Sequence, residues 1–405
     1  MTKPRLRALD FQPIFHHGER MWLLRDPWQL SDRQLIFPQT LAQMLLLCDG
    51  TRSPAKIHAE LCDELGVDLP LTTVKEALAE LDRTFLLQNE RSDSERRRHL
   101  HEYRSQHYRS PALSNLSYPA APHELTALLE GFGDAASASA DSSRSWRGIV
   151  SPHIDYQRGG PVYAKVWRQA KRSVLEADLV LIFGTDHNGS PGSITLTPQP
   201  YATPYGILPN DLDLINRLAG TIGEAAYAEE LNHRNEHSIE LSAVWLHHIF
   251  HQANRSPCPM VPILVGSFHH FLKNGAHPAG DPKFNRFLDT LRRETSGRRV
   301  LAVGSVDLAH IGPAFGDSFA VDTARRSRLR QSDEKLMSAI VQGDAADFYH
   351  QIWAIRDQNR ICGFAPLYLM LRFLEANTGA QIAYDHCPAD QVNTSFVSIC
   401  GLLLD

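Results

Sequence analysis

The spacing of apolar residues changes part-way along this chain. Before residue 90 they recur every three or four positions, and beyond residue 148 they come in short unbroken runs. "FPQTLAQMLLLCDG" predicts a helix stopped by Gly50. In "SPAKIHAELCDELG", Ser53 has the acceptor side chain of an N-cap, Pro54 falls at the first helical position, and Gly66 lies past the end. Ile57, Leu61 and Leu65 share one face of that helix. "PLTTVKEALAELDRTFLL" predicts a third helix with Val74, Leu78 and Leu81 inward. Three short helices followed by an apolar tail predict a small, mainly helical, winged-helix-like domain over residues 1–90.

Two stretches break the pattern. Residues 91–110, "RSDSERRRHLHEYRSQHYRS", are charged and poor in apolar residues, which predicts a solvated linker. A basic contact with a partner is the alternative. "GDAASASADSSRS", Gly133 to Ser145, is rich in Ala and Ser and predicts a flexible loop.

From Gly148 onward, strand-like runs at 179–183, 260–265 and 300–303 alternate with helical stretches such as "PVYAKVWRQAKRSVLEA" and "FNRFLDTLRRETSG". That alternation predicts an α/β layered domain, expected over residues 111–405. In such domains the loops beyond the strand C-termini carry the chemistry.

Those loops hold an unusual set of side chains. "GIVSPHIDY" puts His153 and Asp155 after an apolar run, "LVLIFGTDHNG" adds Asp186 and His187, and "GSVDLAHIG" adds Asp307 and His310. Glu236 and His237 open a helix in "NEHSIE", and Cys362 opens another in "RICGFAP". Imidazole suits iron, copper or zinc, thiolate favours softer metals, and a carboxylate beside a ligand histidine fixes its tautomer. No local spacing matches a signature such as HExxH. Singly, each has a structural explanation: a hydrogen-bonded strand end for the histidines, a turn or helix cap for Asp186, Asp307 and Glu236, and core packing for Cys362. The number of coordinating types gathered in turns favours one site. The histidines of "LHHIFHQ" and "SFHHF" receive no role.

Composition narrows the class. A chain of 405 residues exceeds one typical domain of ~100–200 residues. With 43% hydrophobic and 21% charged residues it reads as an ordinary soluble globular protein. A net charge of -5 without a concentrated basic face points away from nucleic acid. The six cysteines form no CxxC pair, so neither a zinc knuckle nor a thioredoxin-like site is expected. "MTKPRLRALDF" lacks the apolar core of a signal peptide, and no run approaches the ~18 apolar residues of a membrane span. The cytoplasm is expected, with reduced thiols.

The ordered segments "SPHIDY", "FGTDHNG", "TPYG", "NEHSIE", "PILVGS", "GSVDLAHIG" and "CGFAP" together resemble the Memo family, which in bacteria and archaea is the B protein of the AmmeMemoRadiSam system. "LSNLSYPAAPHELTALLEGF" resembles the family's opening segment, so the likeness spans about Pro111 to Asp405. The resemblance implies a fold related to class III extradiol dioxygenases. It implies iron or copper held by His153, His187 and Cys362, with Asp307, His310, Glu236 and His237 as polar residues of the same pocket. Two departures stand out: Asp155 and Asp186 add carboxylates beside the implied ligands, and Cys362 stands where a facial triad has a carboxylate. Residues 45–87 resemble the PqqD-like winged helix that recognises precursor peptides.

These expectations add up to a metal-binding protein acting in redox chemistry, whether as an oxidoreductase or not. The alternative is a non-catalytic adaptor that binds a peptide or partner protein through residues 1–90. A radical enzyme of the same system is the implied partner.

Overall fold

The computed structural model describes residues 3–16, 19–66, 68–133, 144–375 and 378–405. Most of the Ala/Ser-rich stretch expected as a loop lies outside these residues. The chain divides into two compact units, residues 1–106 and 107–405.

The first unit opens with an antiparallel meander that the helical pattern did not announce: β1 Asp10–His16, β2 Glu19–Arg25 and β3 Leu35–Pro38. The three expected helices follow, at Gln39–Leu47, Pro54–Leu65 and Leu71–Arg83. The second is capped as its sequence predicts. Ser53 accepts from the Lys56 N–H, and Gly66 ends the helix in the left-handed region at φ 63°. Ile57, Leu61, Val74, Leu78 and Leu81 are buried together with Leu24 and Phe37 of the strands.

The charged stretch read as a spacer is a helix, Glu90–Ser105. Its support is local. Asn89 and Ser92 form a reciprocal capping box, and Arg98 pairs with Glu95 and Glu102 one turn to either side. Apolar periodicity could not reveal a helix held this way.

The second unit is built on an eight-stranded mixed sheet. Its strands are β4 Gly148–Ser151, β5 Leu179–Thr185, β6 Ile194–Leu196, β9 Met260–Val265, β10 Val300–Ser305, β11 His310–Ile311, β12 Gly379–Pro388 and β13 Phe396–Leu404. The spatial order is β11-β13-β4-β10-β5-β9-β6, with β12 beside β13. A separate hairpin joins β7 Tyr201–Thr203 to β8 Gly206–Leu208. The inner strands β4, β10, β5 and β9 are parallel, and β13 and β6 flank them antiparallel.

Burial on both faces explains why the inner strands read as unbroken apolar runs. Along β5, Leu179, Leu181 and Phe183 enter one core with the helices Leu212–Ile222, Pro282–Thr295 and Phe364–Leu374. Val180 and Ile182 enter the other core, with the helices Pro122–Gly131, Tyr156–Gln169 and His237–Gln252. Helices therefore cover both faces, and the expected α/β class holds for this unit. Among the described residues, no helix is long and apolar enough to cross a membrane.

Candidate metal centre

The three strand ends that carry the Asp/His chemistry are neighbours. Ser305 of β10 stands in register with Ser151 of β4 and Gly184 of β5, so the chain segments leaving these strands emerge side by side. His153, His187 and Asp307 follow within two residues of those ends. The helix His237–Gln252 brings its N-terminus onto the same edge. Gly184 makes this possible, because a Cβ there would lie 2.6 Å from Ile239 Cγ1 and 2.7 Å from Ser238 Oγ.

One ring nitrogen from each of His153, His187 and His237 lies within 4.8 Å of the others. The ring centroids are 4.7–5.1 Å apart. The remaining nitrogen of each ring is already engaged. His153 Nδ1 is 3.0 Å from the Ser305 carbonyl, which can only accept, so Nδ1 carries the proton. His187 Nδ1 donates to Glu236, 3.1 Å from both carboxylate oxygens, and His237 Nδ1 lies 3.1 Å from Glu236 Oε1. These partners fix three tautomers that present Nε2 to one shared space.

Glu236 organises the centre from beneath. It is 3% exposed, caps its helix by accepting from the Ser238 N–H at 3.0 Å, and also accepts the His187 N–H at 3.1 Å. The positive end of the helix favours the carboxylate there. Burial alone would push Glu236 up, but the charges of His187 and His237 outweigh it and hold the carboxyl well below its usual range. Burial opposes protonation of His187, and Glu236 and Cys362 overcome it, so a metal at its Nε2 would displace a proton there. His153 is held neutral by burial and by its two histidine neighbours.

Cys362 reaches the same space from the turn before Phe364–Leu374. Its Sγ lies 3.3 Å from His153 Nε2 and 3.4 Å from the Asp307 carbonyl. Gly363 allows this approach, since a Cβ there would fall 2.8 Å from that carbonyl. Burial raises the Cys362 thiol and His187 counteracts it. Asp307 accepts the His153 and Ile154 N–H groups at 2.9 and 3.3 Å through Oδ1, and its Oδ2 stands 3.7 Å from His153 Nε2. Burial raises its carboxyl to about 6. His310 lies to one side, its Nδ1 3.2 Å from the carbonyls of Leu308 and Arg360. Burial and the His187 charge bring its pKa down to about 4.

The structure thus gathers His153, His187, His237, Glu236, Asp307 and Cys362, with His310 beside them. The added carboxylates do something else. Asp155 caps the helix Tyr156–Gln169 and pairs with Arg158, while Asp186 is buried against the Asn232 amide at 3.0 Å. The site also uses groups the sequence did not announce. The Ser305 carbonyl is a backbone atom with no sequence signal. His269 shares a cavity of about 200 Å3 with His187 and Cys362.

A two-faced α/β unit with a three-histidine centre at the strand C-termini defines the class of this protein: a layered domain built around a candidate metal site. The sequence profile of the Memo-like protein family matches residues 109–402, and the chain belongs to the Memo family. A MEMO1 family protein of Aquifex aeolicus is 26% identical over 99% of both chains. A relative from Methanosarcina barkeri is 27% identical over 65% of this chain and 85% of its own, and one from Thermus thermophilus 24% over 82% and 93%.

Proposed function

We propose that this Memo-family protein binds one redox-active metal ion, iron or copper, in its second unit. His153, His187 and His237 would hold it, with Cys362 as a further donor. The observation that carries this reading is the shared fixing of tautomers. Three imidazoles with their Nδ1 atoms spent on Ser305 and Glu236 leave three Nε2 donors converging with a thiol. That donor set suits a borderline-soft transition metal better than magnesium or calcium. Bound there, iron or copper would supply one-electron redox chemistry. Around it, Asp307 and His310 would hold or move protons, and the cavity beside His187 and Cys362 would admit a small molecule. A reducing compartment, the cytoplasm, would keep Cys362 as a thiol. The first unit would dock a peptide or a partner protein such as a radical enzyme, a reading supported by its PqqD-like sequence.

Elemental analysis of protein purified without oxygen tests the proposal. About one equivalent of iron or copper is expected in the wild type and none in a folded His153→Ala/His187→Ala variant. Equal metal content in both, or none in either after loading, overturns it.

A further inference from the structure

A second cavity, of about 620 Å3, lies along the loop 311–319, the helix Thr323–Val341 and the segment 355–360. That volume suits a small organic ligand. Arg325, Arg328 and Arg360 line it, together with Asp317 and Asp357. The two carboxylates are spent. Asp317 takes both Arg360 amino groups, at 3.0 and 2.5 Å, and the Gly312 N–H. Asp357 takes the Ile361 N–H at 2.9 Å and lies 2.5 Å from His269 Nε2. Arg325 pairs with Asp322 and sits 4.6 Å over the Phe319 ring. Arg328 is exposed and has no hydrogen-bond or ion-pair partner among the described residues, and Asp322, on which it acts through space, is already held by Arg325. Arg328 is thus the one lining guanidinium without a hydrogen-bonded carboxylate. Beside it are apolar walls from Ile311, Leu329 and Ile355, and a Phe319 left 37% exposed.

This cavity adjoins the one in front of the histidines. Arg360 lines both, and Asp357 in the larger cavity bonds His269 in the smaller. We propose that the larger cavity binds a small organic carboxylate, its single negative charge on Arg328 and its apolar body against Phe319, with the rest of the molecule directed toward His187 and Cys362. A guanidinium fork matches a carboxylate, and Arg328 has its fork free. The direction of the far end rests on the metal-site reading, but the carboxylate binding does not.

The test is a titration of the metal-free, full-length protein with benzoate, acetate and benzyl alcohol, followed by calorimetry. Benzoate is expected to bind saturably and about tenfold more tightly than acetate or benzyl alcohol, the size of one charge-assisted or one apolar contribution. Arg328→Gln should weaken benzoate about tenfold, and added salt should weaken it further. Because every titration uses metal-free protein, failure here is separate from failure of the metal reading. Benzyl alcohol binding as well as benzoate, or unchanged benzoate affinity in Arg328→Gln and in Arg325→Gln/Arg328→Gln, overturns the proposal.

Discussion

Two glutamates one turn apart at the start of one helix meet opposite fates. Glu240 is 0% exposed, and every partner it has is supplied by the protein: the Arg109 guanidinium, the Tyr118 hydroxyl and the N–H groups of Ala112 and Leu113. Arg109, itself fully buried, spends its other donors on the carbonyls of His233 and Glu236. Glu236 is nearly as buried, but besides the backbone N–H groups of Ser238 and His187 its partners are two imidazoles whose other nitrogens face shared space. The first cluster is saturated and can only hold the fold together. The second is saturated on one side alone, which is what a site needs: a rigid back and an open front. Burial and charge by themselves do not separate the two, whereas counting the donors left over does.

Arg109 separates the two clusters most visibly. Arg109→Ala strands a buried carboxylate, and chemical denaturation should show a loss of about 3–5 kcal/mol, with metal content per folded molecule unchanged. A loss below 1 kcal/mol would mean Glu240 is not the structural member of the pair.

Acid should act next, through histidines that are buried neutral. His247 and His248 are each brought down to about 4, first by burial and then by the His251 charge. Their folded pKa values lie below the unfolded ~6.5, so the unfolded chain binds more protons in between. The stability they contribute is complete above about 6.5 and is lost as pH falls toward 4. His247→Gln should flatten that slope by on the order of 2 kcal/mol across the window, read from denaturation at successive pH values. An unchanged slope would show that His247 is not buried neutral.

Asp155 supplies the smallest effect. As a helix cap paired with Arg158, Asp155→Ala should cost about 1 kcal/mol and leave metal affinity alone. A change in metal affinity would return it to the centre.

Much of the site could be read from the sequence, for a physical reason. Parallel strands buried on both faces must be continuous apolar runs, so β5, β9 and β10 announce themselves, and polar residues directly beyond them must lie on one edge. His153, His187 and Asp307 were legible on that ground. The place of His237 in the trio was not, because it depends on how closely a helix packs against Gly184, which is a tertiary fact. The sequence left the roles of Asp155 and Asp186 open, since proximity in sequence to a candidate ligand does not decide where a side chain turns. The meander β1–β3 and the charged helix Glu90–Ser105 lacked the apolar spacing that marks such elements. The helix is held instead by a capping box and ion pairs. The short β6, β7, β8 and β11 carry too few residues for any period to show.

Glu236 caps its helix, and under the proposed function it also orients two imidazoles for the metal; the second role is read from iron or copper binding to Glu236→Gln beside the wild type, without oxygen. An affinity about 10–100-fold weaker is expected in the variant, because the two imidazoles lose the carboxylate that orients them, with the protein still folded. Unchanged affinity in a folded Glu236→Gln protein would contradict it.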